Sequence, residues 1–215
     1  MVATQPIAKT ITSLDDLKER FNLSPASSDA FFAEWCSDLP SLSAVEEAAI
    51  AEIYQRFRRH RDRGTLSEGT VNQLLVAPIL TLAGLYDPPF FVTSEPTVML
   101  EVKRDGEILR GRIDTLVLQG QLWVLVVESK DSISFTTALP QALAYMLAKP
   151  DQPTPIYGLI TSGDEFMFLK LQAGDPPIYD SSDVFYLLHP RRNQLLNVFA
   201  ILKQIQLAIL PSAQI

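Results

Sequence analysis

The stretch from Gly111 to Lys130, GRIDTLVLQGQLWVLVVESK, sets Asp114, Glu128 and Lys130 into otherwise apolar, strand-like sequence. From Leu122 to Val127 every residue is apolar, the pattern of a strand covered on both faces in the middle of a sheet. Side chains alternate across a strand, so Glu128 and Lys130 are expected on one face and Ser129 on the other. The preceding run, Arg112 to Leu118, reads as a second apolar strand with a single carboxylate, Asp114, and the turn Gln119-Gly120-Gln121 folds it back beside the first. That hairpin brings Asp114 next to Glu128. Charges in such surroundings are costly unless they are paired, hydrogen-bonded or bound to a metal, and a divalent metal ion would account for them.

Working outward, 215 residues suffice for one domain with a substantial core, and 47% hydrophobic with 20% charged residues is the composition of a soluble globular protein. A net charge of -7 argues against indiscriminate coating of nucleic acid and leaves any DNA work to a local basic patch. Cys36 is the single cysteine, which excludes an intramolecular disulfide or a cysteine-based zinc site. Gln5, Pro6 and Lys9 stand where a secretory signal would place its apolar core, so a cytoplasmic protein is expected. The most apolar run, Leu74 to Tyr86, is broken by Pro78 and Gly84 and reads as core; no membrane association is expected.

Upstream, Ser13 caps a short helix to about Phe21, and Ser28 or Asp29 caps another around Phe31 and Trp35. Ser43 and Glu46 form a capping box for a longer helix whose buried stripe is Ile50, Ile53, Tyr54 and Phe57. Its end carries Arg56, Arg58, Arg59, His60, Arg61 and Arg63, either complementing the helix dipole or contacting phosphate. Thr65 and Glu68 have capping-box spacing before a further helix through Leu80, with Pro78 as a kink. Val98 to Val102 and the Asp105-Gly106 turn lead into the central hairpin, giving a three-strand meander. Thr136 or Thr137 caps the next helix with Pro140 in its first turn, and Gln141 and Tyr145 fall at i and i+4 on one face. Ile156 to Ile160 and Phe166 to Leu171 are strands around a Ser162-Gly163-Asp164 turn; Val184 to Leu188 adds a short strand and Asn193 to Leu210 a last helix.

Asp114 on one strand, Glu128-Ser129-Lys130 on the next, and Gln141 with Tyr145 on the following helix together resemble the PD-(D/E)xK nuclease superfamily. The likeness is to the nuclease domain of type I restriction enzyme R subunits and to the stand-alone cyanobacterial proteins similar to it, and runs from about Thr65 to Leu207. It implies an α/β (α+β) restriction-endonuclease-like fold, a mixed central sheet flanked by helices. Residues 65–215 would form the nuclease-like core, with residues 1–64 as an N-terminal helical extension packed on it. It also implies that Asp114 and the Glu128-x-Lys130 pair are catalytic, with Gln141 and Tyr145 as the family's glutamine-x-x-x-tyrosine element. Glu68 looks like the additional helix-borne acid. Ile113 stands where the literal motif has proline, and no G-x-x-x-x-G-K-[ST] occurs, so the ATP-driven motor of a complete R subunit is missing.

The implied activity is magnesium-dependent hydrolysis of DNA phosphodiester bonds, with manganese able to substitute. Asp114, Glu128, Glu68 and the Ser129 carbonyl supply the oxygen ligands that such a hard cation takes. Lys130 would orient the attacking water or stabilise the transition state. The partner is DNA, with a homodimer or a separate motor or specificity subunit both open. These residues also have structural alternatives: a strand-end ion pair for Glu128 and Lys130, a turn-facing carboxylate for Asp114, a cap for Glu68, a core-edge aromatic for Tyr145. The rival reading is a non-catalytic module of the same fold, a DNA-binding or assembly subunit for a separate partner, and the acidic charge and missing motor favour dependence on such a partner.

Overall fold

A bent two-stranded ribbon links the two sheets of the protein. The computed structural model describes residues 4–102, 106–119, 122–129, 135–149, 151–189 and 192–210. In chain order the elements are β1 (Thr4–Pro6), α1 (Ile7–Thr10), α2 (Leu14–Phe21), β2 (Ser24–Pro25), a 3-10 segment (Asp29–Trp35) and α3 (Ala44–Arg61). Then come α4 (Glu68–Val71), a π-helical segment (Asn72–Val76), α5 (Ala77–Leu82), β3 (Phe90–Ser94), β4 (Thr97–Val102), β5 (Glu107–Arg112), β6 (Thr115–Gln119) and β7 (Leu122–Ser129). The chain closes with α6 (Phe135–Leu147), β8 (Ile156–Thr161), β9 (Glu165–Gln172), β10 (Ile178–Ser181), β11 (Phe185–Tyr186) and α7 (Leu195–Ile209). The fold is mixed α/β, of the α+β kind.

The ribbon corrects the expected meander. Arg112 to Leu118 is two strands: β5 pairs with β4 in a sheet ordered β1-β5-β4, whereas β6 pairs with β3 and β7 in the main sheet, ordered β2-β10-β9-β8-β7-β6-β3. Pairing from Phe90↔Gln119 to Ser94↔Thr115 and from Thr97↔Arg112 to Val102↔Glu107 follows one antiparallel register. The break between them is a bend, at which the Glu95 amide donates to the Asp114 carbonyl at 3.1 Å and the Ile113 amide to the Pro96 carbonyl at 3.2 Å. Glu95 adopts a left-handed φ of 53° there, and Pro96 has no amide to donate, both of which interrupt a regular ladder. Strand β3 itself escaped the sequence reading because the Asp87-Pro88-Pro89 break hides its start.

The apolar strand β7 does lie inside the main sheet, antiparallel to β6 and parallel to β8. A parallel pair needs a crossover, and α6 provides it. Alternation along the strands then builds two cores. Val117, Leu159 and Phe168 face one way into a cluster with Phe57 of α3, Leu80 of α5 and Phe199 of α7. Leu116, Ile160 and Leu169 face the other way, toward Ile7 of α1, Leu143 and Met146 of α6 and Leu109 of the smaller sheet. The N-terminal segment packs on both layers, and its β1 and β2 add parallel strands to the two sheets.

Two helix starts differ from expectation. Ser67, not Thr65, caps α4 by accepting from the Thr70 amide at 3.4 Å, which moves Glu68 to the first helical position and out of a capping box. Pro140 lies inside α6, in its second turn, because the helix begins at Phe135. By contrast, Ser13 and Ser43 form capping boxes with Asp16 and Glu46.

Candidate functional site

The pairing Thr115↔Val127 fixes the geometry of the candidate site. Carried one residue outward, the same register sets Asp114, at the ribbon bend, opposite Glu128 near the end of β7. The next residue, Ser129, pairs with Thr161 at the end of β8. Asp114 and Glu128-Ser129 therefore meet at the C-terminal end of the parallel strands, which is where ligands bind in open α/β sheets. Glu128 and Ser129 are placed by backbone register; Lys130 lies outside the described residues.

Asp114 is half-buried. Beside it, Thr115 is buried and accepts a 3.3 Å hydrogen bond from the Asn72 side-chain amide. Asn72 follows Glu68 by four residues, one helical turn, so this bond brings the face of α4 that carries half-buried Glu68 toward the start of β6. The π-helical segment begins at Asn72 itself, and such segments often occur at functional sites. Asn72 was not singled out from sequence; its i+4 spacing from Glu68 was the available signal.

The turn between β8 and β9 closes the same end. Thr161 is fully buried; its hydroxyl donates to the Glu165 carbonyl and accepts from the Gly163 amide, both at 2.8 Å. Gly163 has φ 84°, and a β-carbon there would press against Phe57 and Val71. Asp164 receives a forked contact from Arg61, with Nε at 2.9 and 3.0 Å and Nη2 at 2.7 Å. The hydrogen bond and charge of Asp164 push the Arg61 guanidinium above its ordinary pKa, so it stays charged. This bond spans 103 residues and left no local mark in the sequence.

The remaining predicted residues divide. Arg58 donates to the Tyr54 hydroxyl at 3.4 Å and lies 3.8 Å from Asp62. Arg56, Arg59 and Arg63 are exposed, and no side-chain partner holds them among the described residues. Gln141 and Tyr145 are nearly fully buried on α6. Gln141 donates to the Ala8 carbonyl at 3.4 Å, and a β-carbon on Gly111 would overlap the Tyr145 ring, so Tyr145 packs on β5 three residues before Asp114. Trp123 is half-buried, and its amide and carbonyl are both bonded at 2.7 Å by the Gln152 side chain.

The residue types that backbone register brings to this strand end, Asp114, Glu128 and Ser129, are of the oxygen-donor kind that a hard divalent cation takes. Among the described residues no three His, Cys, Asp or Glu side chains gather as a metal-binding group, a set that excludes the Glu128 side chain. A cleft of about 690 Å³, lined in part by Phe21, Met99, Leu147 and Lys149, lies at the other end of the sheet, at the C-terminus of α6. Among the described residues no helix is long and apolar enough to cross a membrane. No protein-family model and no curated protein sequence gives a significant match to the chain.

Proposed function

We propose that this protein is a magnesium-dependent nuclease that hydrolyses DNA phosphodiester bonds, with the restriction-endonuclease-like fold of the PD-(D/E)xK superfamily. The observation that supports this reading is the register Thr115↔Val127, one residue beyond which stand Asp114 and Glu128, where the ribbon bends and β7 and β8 end. Asp114, Glu128 and the Ser129 carbonyl would hold the ion, with Glu68 as a further acid reaching in from α4. Bound there, magnesium supplies charge neutralisation and an acidified water. Lys130, two residues beyond Glu128, would orient the attacking water or stabilise the developing negative charge. Manganese would substitute, and a homodimer or a separate motor or specificity subunit would complete a restriction-type assembly. Gln141 and Tyr145 would support the site's edge from α6.

The rival reading, a non-catalytic DNA-binding or assembly module of this fold, draws on one observation. Gln141 and Tyr145 spend contacts on Ala8 and Gly111, as structural residues would. Plasmid cleavage by purified protein, in magnesium and in chelator, separates the two. Wild type should cleave only with the metal, and Asp114→Asn, Glu128→Gln and Lys130→Ala should each lower the rate at least about 100-fold, the scale seen when one preorganised electrostatic group is removed. Magnesium should also raise the thermal midpoint of wild type and not of Asp114→Asn. Cleavage by all three variants at the wild-type rate would assign the activity to a contaminant.

A further inference from the structure

The forked Arg61–Asp164 contact does more than close a turn. It fixes the basic end of α3 to the β8–β9 turn, whose first strand ends at Thr161 beside Ser129. The arginine cluster is thus anchored at the sheet end that carries Asp114 and Glu128. Within the cluster, Arg61 and Arg58 are engaged with protein groups, while Arg56, Arg59 and Arg63 are exposed and unengaged among the described residues. These three follow one another at i, i+3 and i+7, a single stripe on a helix. Arg63 lies two residues past the end of α3, in a turn whose amide-to-carbonyl bond to His60, at 3.1 Å, is of the tighter 3-10 type, so the stripe runs off the helix end.

From this we infer that Arg56, Arg59 and Arg63 form a backbone-contacting rim that lays the sugar-phosphate strand of DNA across the end of α3 and into the candidate site. The inference rests on the nuclease reading for its substrate. Seven residues of helix rise about 10 Å, against about 3.4 Å per phosphate of one DNA strand, so each guanidinium can reach a different phosphate. Complementing the helix dipole does not account for the whole stripe, because only Arg59 of the three lies in the last turn of α3, where Arg58, His60 and Arg61 lie as well. In a chain of net charge -7, three unengaged guanidiniums in a row are a local reversal of sign, the feature that steers an acidic protein onto a polyanion.

The test is equilibrium binding of a short fluorescein-labelled DNA duplex to full-length Asp114→Asn protein in chelator, across a salt series. Adding Arg56→Ala, Arg59→Ala and Arg63→Ala should lower the slope of log affinity against log salt by about 2 to 3, at about 0.9 for each phosphate that is no longer neutralised. A control that removes as many exposed cations from the opposite layer, Lys9→Ala, Lys18→Ala and Arg110→Ala, should change the slope by less than about 1. Equal slopes for the two triple variants, or no binding of duplex by the parent, would overturn the inference, the second outcome pointing to a protein partner. Should the triple variant fail to fold, Arg59→Glu alone must still weaken binding more than Lys18→Glu. Loss of the cleavage result with the slope difference intact would remove the nuclease reading and keep the rim.

Discussion

The two ends of the main sheet handle charge in opposite ways. At the far end, Lys170 on β9 reaches Glu34 of the 3-10 segment at 2.5 Å and the Phe31 carbonyl at 2.7 Å, and Tyr157 on β8 donates to the same Glu34 oxygen at 2.7 Å. The ammonium also sits over the Phe31 and Tyr157 rings, at 5.2 and 5.8 Å from their centres. Burial pushes the Tyr157 phenol well up, with Glu34 adding to it, so it remains a donor. Burial works to raise the Glu34 carboxyl too, but the Lys170 and Tyr157 hydrogen bonds prevail and hold it below its ordinary range. At the near end, the Arg61–Asp164 fork ties the end of α3 to the β8–β9 turn, and Arg56, Arg59 and Arg63 are exposed. Charges that are spent on one another stabilise a fold; charges left outward beside a pinned turn are available to a ligand.

The largest stability effect should come from breaking the far-end network. Lys170→Met leaves Glu34 largely buried without its cation and should cost about 3–5 kcal/mol, whereas adding Glu34→Leu should recover much of it. Urea unfolding of the single and double variants measures both, and an unaffected single variant would erase the contrast between the ends. Next comes the packing of α6 on the ribbon: Gly111→Ala forces a methyl into the Tyr145 ring and should cost about 1–3 kcal/mol. Tyr145→Leu should relieve part of it, and additive effects in a double-mutant cycle would mean the two do not touch.

Arg61→Ala should cost less, about 1–2 kcal/mol, because the pair is part-exposed and screened. On the proposed nuclease reading, Arg61→Ala should also lower the rate of DNA cleavage, since the turn beside the strand ends loosens. Arg61→Lys should restore little, as an ammonium cannot reproduce the fork. The smallest effect concerns Glu46, at the other end of α3. The Lys203 hydrogen bond, together with the Ser43 amide and hydroxyl, lowers its pKa from 4.5 to about 2. A depressed carboxyl contributes stability above its unfolded value, and that contribution is lost as pH falls from 4.5 through about 2. Lys203→Met should flatten this part of the stability curve, which denaturant titration at several pH values would follow.

Much of the fold was legible because local chemistry wrote it. Ser13 with Asp16 and Ser43 with Glu46 mark helix starts within four residues. The apolar run from Leu122 marks an interior strand, and the spacing of Ile50, Ile53 and Phe57 marks a buried stripe. Thr65 misled because Ser67 offers the same chemistry two residues later, and a cap is chosen by where the helix packs. Arg112 to Leu118 misled because its apolar residues are interrupted only once, by Asp114, and a single polar residue does not by itself mark a strand end. Only pairing with Glu95 and Pro96, from another part of the chain, shows that the ribbon bends there and passes between sheets. Sequence alone thus determined which carboxylates and arginines are set apart from the surrounding pattern, because a charge in an apolar strand or a basic run in an acidic chain departs from local expectation. Tertiary structure alone decided that Asn72 reaches Thr115 beside Asp114, that Arg61 is a strut and Arg56, Arg59 and Arg63 are not, and that these groups share one end of the sheet. The reason is physical: hydrogen-bond partners 43 and 103 residues away along the chain become neighbours only when strand register and helix packing are fixed together.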